Sequence, residues 1–314
     1  FGWEVKRVLP IINEDINEEW ISDKTRYSCD GLKYQRLDQP YIKENGKLTK
    51  TDWDTAYKKI TDILEKTESS KICGVTGDLS DMETLYAAKE FFKKTLNSKY
   101  LESRNSNKFI DMSERQNYIF NSSINGIEES DLIFLVGANP RFEATILNAR
   151  IRKTYLRKNI PIYSFGEIGD QTYPYKILNN STKTIKEIFE DKSEYSKLIK
   201  NAQKPMIIIG QSTLNLKSAE YICNGFKDYL KNNNKILDNW NAYNVLSNNA
   251  STVGAFDLEI LNNEDGKNIT LEKVLDNQFE VIFLIGQDDL KFKKKNEFII
   301  YIGSHGDKGA ETAD

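Results

Sequence analysis

"DLIFLVGANPRFEATILNARIRK", residues 131–153, decides how the chain is read. An apolar run from Leu132 to Val136 stops at Gly137-Ala138-Asn139-Pro140, and Phe142, Ile146, Ala149 and Ile151 then follow at helical spacing. The stretch predicts a strand, a tight turn and a helix. A helix N-terminus beside bare backbone N–H groups is the geometry that holds a phosphate in nucleotide-binding folds. Either this turn grips a cofactor, or it keeps the shape of one that did.

The same unit recurs on both sides. "KICGVTG" (71–77) leads to a helix expected over Met82–Leu96, and another strand is expected near Lys108–Met112. "IPIYSFG" (160–166), "PMIIIGQST" (205–213), "FEVIFLIGQDD" (279–289) and "EFIIYIG" (297–303) read as buried strands, with a helix over Lys217–Leu230 after the second of them. Continuous β-branched runs that end in Gly and alternate with helices build a parallel sheet covered on both faces. The fold class is therefore α/β, with doubly wound, mostly parallel sheets and helices on both faces.

Three segments follow from this reading. Residues 1–50 form an irregular connector punctuated by Pro10, Pro40 and Asn45-Gly46, within which Phe1–Leu9 reads as a strand already under way. Residues 51–195 form a first α/β unit, opening on a helix capped by Thr51 or Asp52 with Trp53, Tyr57, Ile60 and Leu64 on one face. Residues 196–314 form a second unit, truncated at its C-terminus. The start without Met and the close on "GSHGDKGAETAD" read as a piece of a longer polypeptide.

Charge and cysteine content exclude several roles. Lys plus Arg total 44 against 47 Asp plus Glu, a net of −3, which is not the basic surface that nucleic acid demands. Three cysteines, Cys29, Cys73 and Cys223, lie far apart with no CxxC or Cys/His spacing. They encode neither a disulfide framework nor a local metal site, and a reducing compartment fits them. No apolar run approaches the roughly 20 residues that cross a bilayer, so a membrane link comes through partners.

The strand-ending turns read Gly-Val-Thr-Gly-Asp (74–78), Gly-Ala-Asn-Pro (137–140), Gly-Gln-Ser-Thr (210–213) and Gly-Gln-Asp-Asp (286–289). None is GxGxxG or a P-loop, and each is expected to be a glycine that ends a buried strand. The single histidine, His305, is expected to be an ordinary hydrogen-bonding loop residue, and Asp288-Asp289 a solvated turn rather than a cation site. Lys291–Lys295 is expected to be a solvated link between strands.

Longer stretches carry a resemblance. "RVLPIINEDINEEWISDKTRYSCDGLKYQRLDQPYI", "TDWDTAYKKI", "SSINGIEESDLIFLVGANPRFEATILNARIRKTYL" and "HGDKGAETAD" resemble the largest peripheral-arm subunits of respiratory NADH:ubiquinone oxidoreductase (complex I), in order and nearly end to end. The matching part is their large C-terminal region, which is related to the molybdopterin oxidoreductases. That resemblance implies [4Fe–4S] and [2Fe–2S] clusters in an N-terminal part preceding Phe1. The implied partners are other peripheral-arm subunits, including the flavin-bearing NADH-oxidising one and the cluster-bearing part itself. The implied place is the matrix side of the mitochondrial inner membrane, or the cytoplasmic face of a bacterial one.

The resemblance also supplies what the turn once held. Pterin-binding relatives carry a Cys-Asp-Lys-Gly-Arg-like motif whose Cys binds a [4Fe–4S] cluster; here Ser22-Asp23-Lys24-Thr25-Arg26 stands there, with Ser22 in the ligand's place. Those relatives follow the strand near Ile160–Phe165 with Asp-Pro-Arg, whose acid holds the guanosine end of the cofactor. This chain has Gly166-Glu167-Ile168-Gly169, leaving Glu167 as the one carboxylate to meet a ribose. The resemblance thus implies no catalytic residue, a vestigial turn at Gly137, Asn139 and Pro140, and a structural domain. A molybdenum or tungsten pterin oxidoreductase and a nucleotide-binding module are the alternatives. Arg141, Arg150, Arg152 and Arg157 read first as a solvated helix face, with a polar stripe for contacts with neighbouring subunits as the alternative.

Overall fold

Two parallel sheets organise the chain in a computed structural model that describes residues 4–179, 181–261 and 269–314. Their strands are β1 (Ile72–Thr76), β2 (Leu101–Glu102), β3 (Leu132–Val136), β4 (Ile162–Phe165), β5 (Lys176–Leu178), β6 (Pro205–Ile209), β7 (Tyr243–Val245), β8 (Val281–Ile285) and β9 (Phe298–Ile302). The order is β7-β6-β3-β4-β5 in one sheet and β9-β8-β1-β2 in the other. Every pairing within them is parallel. The doubly wound α/β class is the observed one.

The runs form strands because both of their faces are buried. In the four-stranded sheet, Ile72, Val281, Phe283, Ile285 and Ile300 pack with Leu85, Ala88 and Phe92 on one side. Cys73, Val75, Ile282, Leu284 and Ile299 pack with Val274 and Ala313 on the other. Alternate residues along one strand thus enter two different cores.

The division into units differs from the two consecutive blocks of the sequence reading. One compact unit gathers Phe1–Cys29 and Lys108–Asn248; the other gathers Asp30–Asn107 and Asn249–Asp314. Each is discontinuous because β1, with β2 at its other edge, pairs with β8, far along the chain. Sequence adjacency sets neighbours only in part.

Other expectations shift locally. The strand expected over Phe1–Leu9 lies partly outside the described residues, and Glu4–Leu9 has no ladder partner. No strand forms at Lys108–Met112, where the Phe109 N–H donates to the Leu214 carbonyl at 2.9 Å in irregular structure. The helix from Met82 is α-helical to Glu90 and then widens into a π turn, Phe91–Thr95. Asp52, not Thr51, caps the helix Trp53–Leu64, its carboxylate accepting from the Thr55 N–H at 2.8 Å. Trp53 and Tyr57 are both 58% exposed, and Ile60, Ile63 and Leu64 pack against the core with Ala56 buried beside them. The connector is also less irregular than expected, because Asn45-Gly46 turns an antiparallel hairpin, Tyr41–Glu44 with Lys47–Lys50.

The connector's first half is tied to the helix Thr145–Lys158. Asn13 and Glu18 exchange backbone hydrogen bonds at 2.9 and 2.7 Å, closing a small loop. The buried Arg150 guanidinium spans it, donating from Nε to Ile16 O at 3.1 Å, from Nη2 to Glu14 O and from Nη1 to Glu128 Oε1 at 2.7 Å. Glu128 also accepts from Lys153 at 2.8 Å and Arg157 at 3.0 Å. Burial pushes the Glu128 pKa up, but the Lys153 hydrogen bond and the three nearby cations outweigh it, leaving the value below its ordinary 4.5. A carboxyl depressed in the fold stabilises it above the unfolded pKa and loses that effect as pH falls through the folded value. Hydrogen-exchange protection of residues 13–18, corrected for intrinsic exchange, is therefore expected to be steady near neutral pH and to fall below about 4.5. Protection, corrected for intrinsic exchange, that stays unchanged from neutral pH to well below about 4.5 contradicts this assignment.

Candidate cofactor crevice

In a doubly wound sheet, ligands bind beyond the carboxyl ends of the strands where the winding reverses. The five-stranded sheet runs from β3 outward to β4 and β5, then returns to β6 and β7, so its reversal lies between β3 and β6. The turns there are Gly137-Pro140 and Gly210-Thr213.

These two turns fill the space between themselves. Gly210 N–H donates to Val136 O at 3.0 Å, Ser212 N–H to Gly137 O at 3.2 Å, and Thr213 Oγ1–H to Val136 O at 2.9 Å. Gly137 has φ +61°, and a Cβ there would lie 2.6 Å from Thr213 N. A Cβ at Gly210 would lie 2.6 Å from the Ala138 Cβ and closer still to its Cα. The glycines are required by backbone meeting backbone.

Groups of the Gly137 turn also bond to the loop after β4. Asn139 N–H acts on the Glu143 carboxyl, pulling its pKa down against burial. Pro140 has no N–H to offer. Arg141 N–H donates to Gln171 Oε1 at 3.1 Å. Gln171 is 0% exposed, and its Nε2 donates to Asn139 Oδ1 at 3.0 Å and Ile168 O at 2.7 Å. Asn139 Nδ2 donates to Ile168 O at 3.1 Å, and Arg141 Nη1 bonds both Asp170 O and Asp170 Oδ2 at 2.6 Å. The loop after β4 thus brings the Gln171 amide and the Asp170 carboxylate against the turn. Glu143 adds a carboxyl whose buried Oε2 has no hydrogen-bond partner, and burial raises its pKa despite the Asn139 N–H and the charge of Lys108. A carboxylate beside the turn disfavours a second anion.

The other sheet repeats the arrangement at its own reversal, between β1 and β8. Gly77 N–H donates to Ile285 O at 2.8 Å, and the buried Gln287 sends Nε2–H to Thr76 O at 3.0 Å. A Cβ at Gly77 would lie 2.5 Å from the Gly286 carbonyl carbon and nearer still to its oxygen.

The remaining residues singled out in the sequence are dispersed. Ser22 caps the short helix Asp23–Tyr27, its Oγ accepting from the Thr25 N–H at 3.3 Å. Glu167 is exposed on the loop after β4. Cys29, Cys73 and Cys223 are buried; burial pushes Cys223 up to about 11 and drives Cys73 well upward, so both are protonated core thiols. His305 pairs Nδ1 with Ser304 Oγ at 2.8 Å and Nε2 with Gly31 O at 3.2 Å, occupying both ring nitrogens. Asp288 accepts from Tyr301 O–H at 3.1 Å and Gly309 N–H at 2.9 Å, so it is a structural acceptor rather than a solvated turn residue. Of the four stripe arginines, Arg150 is buried beneath residues 14–16, while Arg152 and Arg157 are exposed and Arg141 partly so, each also bonded within its own unit. No group of three or more His, Cys, Asp or Glu among the described residues is placed to hold a metal ion. No described helix is long and apolar enough to cross a membrane.

Gln171 and Thr213, the side chains that close the crevice, carried no signal in the sequence, since their burial comes from loops meeting in space.

Comparisons with known proteins bear on these turns. Residues 36–314 match the molybdopterin oxidoreductase family, and residues 2–30 match the NADH-ubiquinone oxidoreductase NDSU1/NuoG-like 4Fe-4S domain. The chain is 40% identical over 317 residues to an NADH-quinone oxidoreductase component of Rickettsia bellii, covering 100% of this chain and 45% of that protein. It is 40% identical over 331 residues to the NADH-ubiquinone oxidoreductase 75 kDa subunit of Reclinomonas americana, covering 100% of this chain and 47% of that protein. The mitochondrial NADH dehydrogenase [ubiquinone] iron-sulfur protein 1 of Solanum tuberosum is 36% identical over 317 residues, 100% of this chain and 42% of that protein. The chain thus spans a little under half the length of these relatives.

Proposed function

The chain belongs to the molybdopterin oxidoreductase family, and from that premise we propose that it is a non-catalytic structural domain in the peripheral arm of an NADH:quinone oxidoreductase. One observation carries the reading. At both winding reversals the strand-end turns meet backbone to backbone, and after β3 the Arg141 N–H is bonded to the buried Gln171. A pterin pyrophosphate would meet two turns already in backbone contact and an Arg141 N–H already bonded to Gln171, and no catalytic step is routed through such a group.

In this role the domain supports electron transfer from NADH to quinone by holding neighbouring parts in place. The carriers, [4Fe–4S] and [2Fe–2S] clusters, belong to the N-terminal part of the full-length subunit. The only cysteine within the stretch that matches the iron–sulfur family is Cys29, and one thiolate does not hold a cluster. The partners are other peripheral-arm subunits, the flavin-bearing NADH-oxidising one among them. The matrix side of the mitochondrial inner membrane suits the mitochondrial relatives, and the cytoplasmic face of a bacterial membrane suits the others.

Elemental analysis of the purified protein is expected to find molybdenum and tungsten far below one atom per chain. Titration calorimetry with NADH and with GTP is expected to show no saturable heat. Metal near one per chain supports a pterin enzyme instead, and saturable heat supports a nucleotide-binding module.

A further inference from the structure

The four-stranded sheet has a second concave feature, at the edge opposite its glycine turns. A cavity of about 550 Å³ opens at the amino ends of β1, β8 and β9, lined in part by Lys71, Glu280 and Glu297, the residues immediately preceding those strands. Lys273, Lys295 and Tyr100 line it too. This volume lies within the range of small-molecule sites.

Its chemistry is lopsided. Three lysines and two glutamates are among its lining residues, and one of those carboxylates is already committed. Glu297 is buried, and its Oε2 accepts from the Lys295 N–H at 2.6 Å. Burial raises the Glu297 pKa, but the backbone N–H groups of Lys295 and Glu297 more than offset this, so it stays ionised as an internal acceptor. Glu280 is the exposed acid left against the lysines. The cavity therefore has more donors than acceptors to offer a ligand.

One of the cations is held in place. Lys273 Nζ lies 4.5 Å from the centre of the Tyr100 ring and donates to its hydroxyl at 2.9 Å. Tyr100 is itself fixed, buried and set edge-on against Phe279 at 5.1 Å between centroids. An ammonium has three donors, and the phenol takes one. A cation seated on a buried ring has lost its freedom before any ligand arrives, which favours binding.

We propose that this cavity binds a small phosphate-bearing anion, with Lys273, Lys295 and Lys71 as its cationic contacts. Phosphate matches the need: acceptor-rich, multiply charged and compact, it forms charge-assisted hydrogen bonds with ammonium groups. The site is separate from the crevice between the glycine turns and does not depend on what that crevice holds.

Pyrophosphate titrated into the purified protein at low salt is expected to give one saturable site. Lys273→Gln and Lys295→Gln are each expected to weaken it about tenfold or more, the scale of one charge-assisted contact. Lys71 and Lys295 are exposed, so their glutamine variants keep the fold. Tyr100→Phe removes only the hydroxyl that seats Lys273 and is expected to weaken binding as well. Lys183→Gln, on an exposed helix of the other unit, is expected to leave it unchanged. The proposal is overturned by the absence of saturable heat, by Lys273→Gln and Lys295→Gln binding like the parent, or by citrate binding as tightly as pyrophosphate. An Asp/Glu-rich peptide that binds at least as tightly also overturns it and assigns the cavity to a protein contact.

Discussion

Gly137→Ala is expected to destabilise the five-stranded unit by about 3 kcal/mol. Two costs combine: roughly 1–2 kcal/mol for an L side chain in the left-handed region, and about 1–3 kcal/mol for forcing an atom into a filled space. Gly137 has φ +61°, and its Cβ would meet Thr213 N at 2.6 Å, a backbone atom that cannot swing away. Gly169→Ala separates the two terms, because Gly169 has φ +71° but nothing within 4 Å of the added atom. It is expected to cost only about 1–2 kcal/mol. Native-state hydrogen exchange at Ile133–Val136 and Ile207–Ile209 reads the difference locally, without assuming that both units unfold together. Equal protection in the two variants contradicts the view that this glycine is retained for packing.

Arg150→Ala is expected to cost about 3 kcal/mol, the lower end for removing one partner of a buried ion pair. Arg150 is 3% exposed and Glu128 25%, and Glu128 keeps Lys153 and Arg157 after the change, so the stranded charge is partly compensated. The carbonyls of Glu14 and Ile16 lose their donor as well. The loop closed by Asn13 and Glu18 is then expected to become a preferred site of limited proteolysis. Arg150→Lys is expected to recover little, because an ammonium does not reproduce the guanidinium fork that reaches three acceptors in different directions. Cleavage kinetics unchanged in both variants count against the clasp.

Much of this was legible from residue order. The strands Leu132–Val136, Pro205–Ile209 and Val281–Ile285 are unbroken apolar runs because both faces of a parallel sheet are buried, and such runs show in any window. Lys176–Leu178 and Tyr243–Val245 escaped notice. Each has three residues at a sheet edge, two of the first are exposed, and the second carries a buried Asn, so neither has a periodicity to read. Burial of Arg150 was not legible, because spacing on a helix gives a face, not what covers it; residues 14–16 cover this one arginine. At the crevice, the glycines were visible and their reason was not. Whether a strand-ending glycine faces a ligand or another turn depends on Gln171 and Thr213 arriving from loops some 30 and 75 positions away.

The interleaved order of the two units has a consequence during synthesis. All residues through Asn248 that complete the five-stranded unit leave the ribosome before β8 exists, while β1, finished at Thr76, still lacks its central neighbour Val281–Ile285. At elongation rates of about 5–20 residues per second, that strand waits roughly 10–40 s with an apolar edge unpaired. Nascent chains halted between these two points are the form of this protein that most needs a chaperone.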